Sequence, residues 1–160
     1  DIMIVYHGSY CVVKTPSITF SRDSLDFGKG FYVTSIKTEA INWTERFKKR
    51  GKKAYLNSYS LDIDKLKENC KVKIFNSYNL EWLDFIIECR NMSNIYEIWH
   101  YNSGIADNKI YNTMELYQDN LIEKDEALKR LKYYKPNEQI CITNQNVIDK
   151  YLKFRYEEEV

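Results

Sequence analysis

Short strand-type runs that alternate irregularly with helix-type patterns constrain the fold of this chain more than any other feature. Residues 2–7 form a compact apolar run, and a run of this length is typical of a buried strand. Similar runs recur without the regular spacing of βαβ units, which predicts an α+β fold. They cover residues 31–34, 54–61, 71–75, 95–101 and 140–143.

Apolar residues at helical spacing fill the intervals between these runs. We expect the first helix to begin at Thr38, a residue type that caps helices, and to end in the basic run 48–53, which contains Gly51. Residues 146–154 suit either a short helix or a strand, and residues 157–159 are predicted to be a solvated acidic tail. Further helices are predicted over residues 79–90, 110–116 and 124–131.

Length and composition predict one globular domain over residues 1–160. The 160 residues are 44% hydrophobic and 29% charged, which favours a folded protein over a disordered one. A net charge of +1 excludes a globally basic nucleic-acid-binding protein, and no apolar run is long enough for a membrane span.

Two histidines and four scattered cysteines without a C-x-x-C pair predict no metal site. Because the thiols are scattered and no signal peptide is visible, we expect a cytoplasmic protein.

The first candidate site is the segment of residues 6–9, where the first strand-type run ends. Gly8 has no side chain, so its backbone groups can lie against a planar ligand. His7 and Ser9 can hydrogen-bond the hydroxyls of that ligand. The alternative is that His7 is a structural histidine at the end of a buried strand.

The second candidate is the glycine cluster Phe27-Gly28-Lys29-Gly30-Phe31-Tyr32. It is not a dinucleotide-binding fingerprint, because it lacks a third glycine and leads into a strand instead of a helix. Gly28 and Gly30 would let the backbone lie against a ligand while Tyr32 offers a ring face. A tight turn between two elements is the alternative.

The third candidate is the segment Asn137-Glu138-Gln139-Ile140. A polar side chain at the start of a buried strand costs about 1–3 kcal/mol unless it is paired. Because side chains alternate along a strand, only one of Glu138 and Gln139 can face a cleft. The alternative is that these side chains face water.

Together, the three segments resemble the ADP-ribosyltransferase superfamily, in the branch that contains diphtheria toxin and the poly(ADP-ribose) polymerases. Members of that branch have a His on the first strand, a Tyr on the second and usually a Glu on a late strand. Residues 27–32 are similar to the polymerases' F-G-K-G-I-Y, and residues 137–140 resemble their N-E-Y-I. Residues 42–43, Asn-Trp, stand where those enzymes have Asn-Tyr.

A small bacterial family related to these enzymes is a closer match. Its members begin Y-H-G-S, carry D-F-G-K-G-F-Y-x-T and have A-D and Q-I-C-F segments later. This chain has corresponding residues at 6–9, 26–34, 106–107 and 139–142, so the resemblance covers nearly the full length. Small bacterial members of the superfamily are often toxins, and some have antitoxin partners.

The resemblance implies split antiparallel β-sheets flanked by helices, with NAD as co-substrate in a cleft between the sheets. It implies that His7 bonds the adenosine-side ribose, that Gly8 pairs with the nicotinamide carboxamide, and that Tyr32 and Trp43 enclose the nicotinamide ring. The implied activity is mono-ADP-ribosylation of a protein or nucleic-acid acceptor. The implied catalytic residues are His7, Tyr32 and either Glu138 or Gln139; the NAD-binding set is His7, Gly8, Ser9, Phe27, Gly28, Gly30, Tyr32, Trp43 and Asp107.

Two departures from the polymerase pattern bear on the activity. The polymerases have a Ser three residues before the second stacking aromatic, where this chain has Ala40, so one bond to the carboxamide would be missing. Alignment to N-E-Y-I selects Glu138, whereas the bacterial family usually has Gln at the position of Gln139. A Gln can bond a ribose hydroxyl but cannot act as a base. It therefore favours a single transfer, NAD hydrolysis or a non-catalytic nucleotide-binding module over polymer formation.

Asp107 and the basic run 48–53 each allow two interpretations. Asp107 either lines the same cleft or is exposed in a loop. The basic run 48–53 is either a solvated helix end or a contact surface for nucleic acid or an acidic protein.

Overall fold

The computed structural model describes residues 1–18, 30–75, 79–90, 98–101, 108–131 and 138–160. Within these ranges the chain has an α+β fold, as the sequence predicts. The strands are β1 (Ile2–Ser9), β2 (Phe31–Val33), β3 (Tyr55–Asp62), β4 (Val72–Phe75), β5 (Ile98–Tyr101), β6 (Gln139–Ile142) and β7 (Leu152–Glu159). The helices are α1 (Lys37–Lys48), α2 (Ile63–Asn69), α3 (Leu80–Arg90), α4 (Asn108–Gln118), α5 (Lys124–Leu131) and α6 (Gln145–Tyr151). None of the described helices is both long enough and apolar enough to cross a membrane.

The strands form two sheets. The first sheet has three antiparallel strands in the order β1-β3-β7, and the second has four in the order β2-β6-β5-β4. The pairs β2–β6 and β5–β6 are antiparallel, whereas β4 and β5 run parallel. A parallel pair needs a crossover between its strands, and α3 lies in that interval of the chain. The expectation of antiparallel sheets is therefore wrong for this one pair.

Strands β2 and β6 of the second sheet are packed on both faces. On its inner face, Phe31, Val33, Ile140 and Ile142 share a core with residues of the first sheet. On its helix face, Cys141 packs in a second core with buried residues of α3, α4 and α5. Because side chains alternate along β2 and β6, these two cores define which way each residue of those strands points.

The start of α1 differs from the sequence prediction. The N-cap position belongs to Ile36, and no side chain bonds the helix end from there. Thr38 lies exposed within the first turn. The amide of Ile36 donates instead to the hydroxyl of Thr34 at 3.1 Å. The helix ends in the basic run as predicted, and Gly51 has the positive φ of 74° that favours glycine in a turn.

The end of the chain also differs from the sequence prediction. Residues 157–159 are the last part of β7, and their backbone pairs with Asn57, Leu56 and Tyr55 of β3. Their side chains are exposed, and for this reason the acidic pattern looked like a solvated tail. Helix α2 was not predicted, because a helix of seven residues shows too little periodicity to be recognised.

Candidate functional site

In the described part of the chain, one backbone bridge joins the two sheets, from Tyr6 of β1 to Thr34, which directly follows β2. The amide of Tyr6 donates to the carbonyl of Thr34 at 2.7 Å, and the amide of Thr34 donates to the carbonyl of Tyr6 at 3.0 Å. Among the described residues, no further backbone pair connects these two strands. We call the gap beyond this bridge, which is bordered by His7 and Gly8 of β1 and Tyr32 of β2, the β1–β2 split.

The backbone of Gly8 presents two polar groups to the split. In an antiparallel strand the N–H and C=O of a residue point to the same edge, and those of every second residue do likewise. Tyr6 uses both groups toward β2, and β1 keeps a regular register with β3 through Gly8. The N–H and C=O of Gly8 therefore point to the same edge as those of Tyr6. A donor and an acceptor side by side can pair with a primary carboxamide.

His7 connects the two borders of the split. Its Nδ1 lies 2.8 Å from the carbonyl oxygen of Tyr32. Because a carbonyl oxygen only accepts hydrogen bonds, Nδ1 carries the proton and donates it. Burial lowers the pKa of His7 below its ordinary value of 6.5, although the bond to the Tyr32 carbonyl opposes that shift. The neutral ring therefore has Nε2 as an acceptor, suitable for a ligand hydroxyl, and it packs on Phe31 at 4.3 Å between ring centroids.

Helix α1 packs directly on β1 at Gly8. A Cβ at position 8 would collide with the carbonyl oxygen of Ala40 and lie 2.8 Å from Cγ2 of Thr44. Only glycine permits this close approach. Gly8 thus has a packing role in addition to its backbone groups, and the position of Ala40 beside it is the one the resemblance assigns to a carboxamide-binding Ser.

Trp43 follows Ala40 by one helical turn and is partly buried. The guanidinium carbon of Arg46 lies 3.1 Å from the centroid of the Trp43 ring, so one ring face is covered by this cation. Tyr32 is also partly buried and packs beside the core on the helix face. The described residues show no ring contact between Tyr32 and Trp43.

Glu138 and Gln139 point in different directions. Oε1 of Glu138 accepts a hydrogen bond from the amide of Ser35 at 2.6 Å, next to the start of α1. Gln139 begins β6 two residues before Cys141, and Cys141 is the register partner of Tyr32. By strand alternation, Gln139 lies on the same face of the sheet as Tyr32 and Cys141. Gln139 is therefore the residue of this pair that shares a face with Tyr32.

Glu39 is a carboxyl group that no pattern in the sequence singles out. Its Oε2 accepts from the hydroxyl of Thr34 at 3.4 Å and from the amide of Glu138 at 3.3 Å. Burial raises the pKa of Glu39 to about 7; the Thr34 hydroxyl opposes this shift, and the carboxylate of Glu138 adds to it. Acidic residues in the first turn of a helix are common, so the sequence offers no sign of this contact. Glu39 links the start of α1 to the start of β6.

The buried side-chain amide of Asn57 holds the loop that follows Ser9. Ser9 is buried, and its Oγ accepts from the amide of Cys11 at 3.4 Å. Asn57 of β3 accepts from the amide of Val13 at 2.9 Å and donates to the carbonyls of His7 at 3.3 Å and Cys11 at 3.2 Å. We expected Ser9 to bond hydroxyls of a ligand, but its own hydroxyl is buried and already accepts a hydrogen bond from the loop that follows it. Asn57 was missed because its partners are far away in the sequence.

The structure describes only one of the remaining predicted site residues. Phe27, Gly28 and Asp107 lie outside the described residues. Gly30 precedes β2, where a Cβ would collide with Sγ of Cys141 and lie 3.1 Å from the carbonyl of Ile142. A packing constraint is thus sufficient to explain this glycine. In the described ranges, no group of three metal-ligating side chains is present.

Comparison with known proteins gives one match. Residues 3–154 match a family described as a protein of unknown function, DUF3990. The chain belongs to the DUF3990 family. Comparisons with curated proteins and with solved structures gave no match.

The DUF3990 match includes both sheets and every border of the split. It begins within β1 and ends within β7. His7, Gly8, Tyr32, Trp43 and Gln139 all lie within it. The region that matches the family model therefore contains all of these candidate-site residues.

Proposed function

We propose that this DUF3990 chain is a mono-ADP-ribosyltransferase that uses NAD as co-substrate. The hydrogen bond from Nδ1 of His7 to the carbonyl of Tyr32 is the observation that carries the proposal. It brings together two motifs, from β1 and β2, that the resemblance assigns to a single NAD site. The proposal includes the fold of that superfamily, with the NAD cleft formed where the two sheets part at the β1–β2 split.

The residues bordering the split suit the nicotinamide half of NAD. The N–H and C=O of Gly8 would pair with the carboxamide, which has both an acceptor and a donor. Tyr32 and Trp43 would enclose the nicotinamide ring, and an aromatic pair contributes about 0.5–1.5 kcal/mol beyond burial. Nε2 of His7 would accept from a hydroxyl of the adenosine-side ribose. Ala40 offers no hydroxyl, so the carboxamide would have one partner fewer than in the polymerases.

The reaction would be a substitution at C1 of the nicotinamide ribose. The bond from C1 to the nicotinamide nitrogen breaks, its electron pair leaves with neutral nicotinamide, and the acceptor bonds C1 and releases a proton. Positioning and electrostatic stabilisation of the cationic transition state would provide most of the rate. Gln139 can hold a ribose hydroxyl but has no basic group. The acceptor must therefore be reactive by itself, which favours one transfer over chain growth.

The proposed biological setting is that of a bacterial toxin acting in the cytoplasm. The acceptor would be a macromolecule, and a cognate antitoxin would be its partner in a toxin–antitoxin pair. This setting follows from the resemblance alone, and an antitoxin would be expected to cover the β1–β2 split.

Incubation with labelled NAD and a cell lysate tests the activity. We expect label to appear on a macromolecule and free nicotinamide to accumulate, with both signals lost in His7→Ala. The folded state of each protein is checked by circular dichroism. If folded wild-type protein gives neither label transfer nor nicotinamide release, the enzymatic proposal is wrong.

A second candidate is a nucleotide-binding module of the same fold without catalysis. Gln139 and Ala40 favour it, because they replace two polar groups that the polymerases use. Calorimetry distinguishes the candidates: NAD binding without turnover selects the module. Release of free ADP-ribose without labelled macromolecule selects an NAD glycohydrolase. Absence of binding at millimolar NAD would instead indicate an interaction domain in which the aromatic residues are only core.

A further inference from the structure

Two pairs of a cation and an aromatic ring lie on or near α1, one within the helix and one formed by residues outside it. Arg46 lies over the Trp43 ring, and Nζ of Lys52 lies 4.5 Å from the centroid of the Tyr10 ring. Phe47 joins the pairs, since it is one turn after Trp43 on the helix and contacts Tyr10 edge-on at 5.6 Å between centroids. We call these five residues the α1 platform.

Tyr10 is the exposed aromatic ring of the platform. It follows β1 directly, and 52% of its surface is accessible. Phe47 meets it edge-on rather than face to face. An exposed, partly supported ring beside a cation can stack on another planar group.

The platform continues into the basic run 48–53. Positions 45–53 hold six basic residues and one acidic residue, a net charge of +5 in a chain of +1. Lys48 pairs with Glu45 and Lys53 with Glu159. Lys49, Arg50 and Lys52 are exposed, and none of them forms an ion pair with a carboxylate in the described part of the chain. Three cations therefore remain available to an anionic partner.

We propose that the α1 platform and the basic residues 48–53 bind a single-stranded nucleic acid. Lys49, Arg50 and Lys52 would contact phosphates, and Tyr10 would stack on a base. A combination of cations and an exposed ring is what unpaired nucleic acids require, because their bases have open faces. An acidic protein would use the cations but would gain nothing specific from the ring.

The position of the platform indicates the role of the bound strand. Trp43 belongs both to the platform and to the candidate NAD site, and Tyr10 is two residues after Gly8. A strand bound on the platform would therefore lie beside the β1–β2 split. On the basis of the proposed function, this makes nucleic acid the acceptor class; the binding itself does not depend on NAD chemistry.

Fluorescence anisotropy with labelled 20-nucleotide single-stranded RNA and DNA of mixed sequence tests binding without NAD. The test variant combines Lys49→Ser, Arg50→Ser and Lys52→Ser. The matched control combines Lys67→Ser, Lys129→Ser and Lys150→Ser, which removes the same charge from exposed positions on α2, α5 and α6. We expect at least a tenfold loss of affinity in the test variant alone. The slope of log affinity against log salt should also fall by about 2, since each phosphate contact contributes about 0.7 on single strands.

Tyr10→Ala provides a second readout. We expect about a tenfold loss of affinity with an unchanged salt slope, because stacking and not charge is removed. Equal losses in the test and control triples, or no binding of wild type to either strand below 100 µM (about the upper limit of non-specific binding), would overturn the proposal. Preference for RNA or for DNA identifies the acceptor strand, and either supports the proposal. Adding NAD separates the two proposals: binding without label on the strand supports this surface as a nucleic-acid site and overturns only nucleic acid as the acceptor class, whereas the transferase itself is tested by label transfer in the lysate.

Discussion

The carbonyl oxygen of Ala40 lies against Gly8 at the place where a side chain of residue 8 would be. This contact seats α1 on β1 and thereby sets the position of Trp43 relative to the split. It couples the stability of the protein to the geometry of the candidate site.

Gly8→Ala should therefore reduce both stability and NAD binding. Overpacking of a tight contact costs about 1–3 kcal/mol, and urea denaturation would measure the loss. Gly51→Ala is a suitable control, because a Cβ added at position 51 would have no other residue's atom within 4 Å apart from its chain neighbours, and the backbone φ there is 74°. It should cost about 1 kcal/mol through backbone strain and leave NAD affinity unchanged. A Gly8→Ala protein with wild-type stability would contradict the described packing.

Substitutions of His7 and Tyr32 should separate catalysis from binding. His7→Ala removes both the proposed acceptor for a ribose hydroxyl and the bond to Tyr32, so we expect nicotinamide release to be abolished. Tyr32→Ala removes one of the two rings proposed to enclose the nicotinamide, and NAD affinity should fall about 2- to 10-fold, corresponding to about 0.5–1.5 kcal/mol. Tyr156→Ala, at an exposed aromatic residue on β7, is the control for loss of a ring. Turnover and affinity unchanged in both variants would place the site elsewhere.

Glu138→Ala should mainly reduce stability, whereas Gln139→Ala should mainly reduce turnover. Glu138 holds the amide of Ser35, and loss of a hydrogen bond to a charged group costs about 1.5–3 kcal/mol. We expect Glu138→Ala to lower the melting temperature. Gln139→Ala should change stability by less than about 0.5 kcal/mol and reduce turnover. The reverse pattern would mean that Glu138 is the residue that contacts the ligand.

The stability of the protein should depend on pH through Glu39. Its pKa is raised from 4.5 to about 7 in the folded protein, so the folded state holds its proton more tightly than the unfolded state. The stabilisation from this group is complete below pH 4.5 and is lost as the pH rises through about 7. Glu39→Gln should remove this decline, whereas Glu45→Gln, on the same helix, should not.

Chemical denaturation at a series of pH values would measure this effect. His7 acts in the opposite direction, because burial lowers its pKa below 6.5 and its contribution is lost as the pH falls. The difference between wild type and Glu39→Gln cancels the contribution of His7. A difference that stays constant from pH 4 to 8, the range that spans a shift from 4.5 to about 7, would rule out a raised pKa for Glu39.

Local patterns were enough for most elements of the fold. The apolar run of β1, the helical spacing of α3 and α5, and the basic end of α1 with Gly51 are all visible in the sequence. Each depends on residues close together in the chain, where backbone geometry imposes a fixed period. β7 was missed at its acidic end because its pairing with β3 needs only backbone groups, and these leave no mark on the side-chain pattern.

For the candidate site too, some residues could be found from local motifs and others only from the structure. The sequence singled out His7, Gly8 and Tyr32 by their motifs, but it could not choose between Glu138 and Gln139. That choice depends on the register of β6 against β2, which assigns Gln139 to the face of Tyr32. Glu39 and Asn57 escaped notice because their partners are up to 99 residues away.

The sequence by itself determined the mixed α+β character of this protein, the position of its strongest motifs and its membership of the DUF3990 family. Only the tertiary structure decided that β1 and β2 meet at Tyr6 and Thr34 and then part, and that His7 reaches across to Tyr32. The physical reason is that strand period and helix spacing are properties of the local backbone. The meeting of two distant strands depends on how all the cores pack at once.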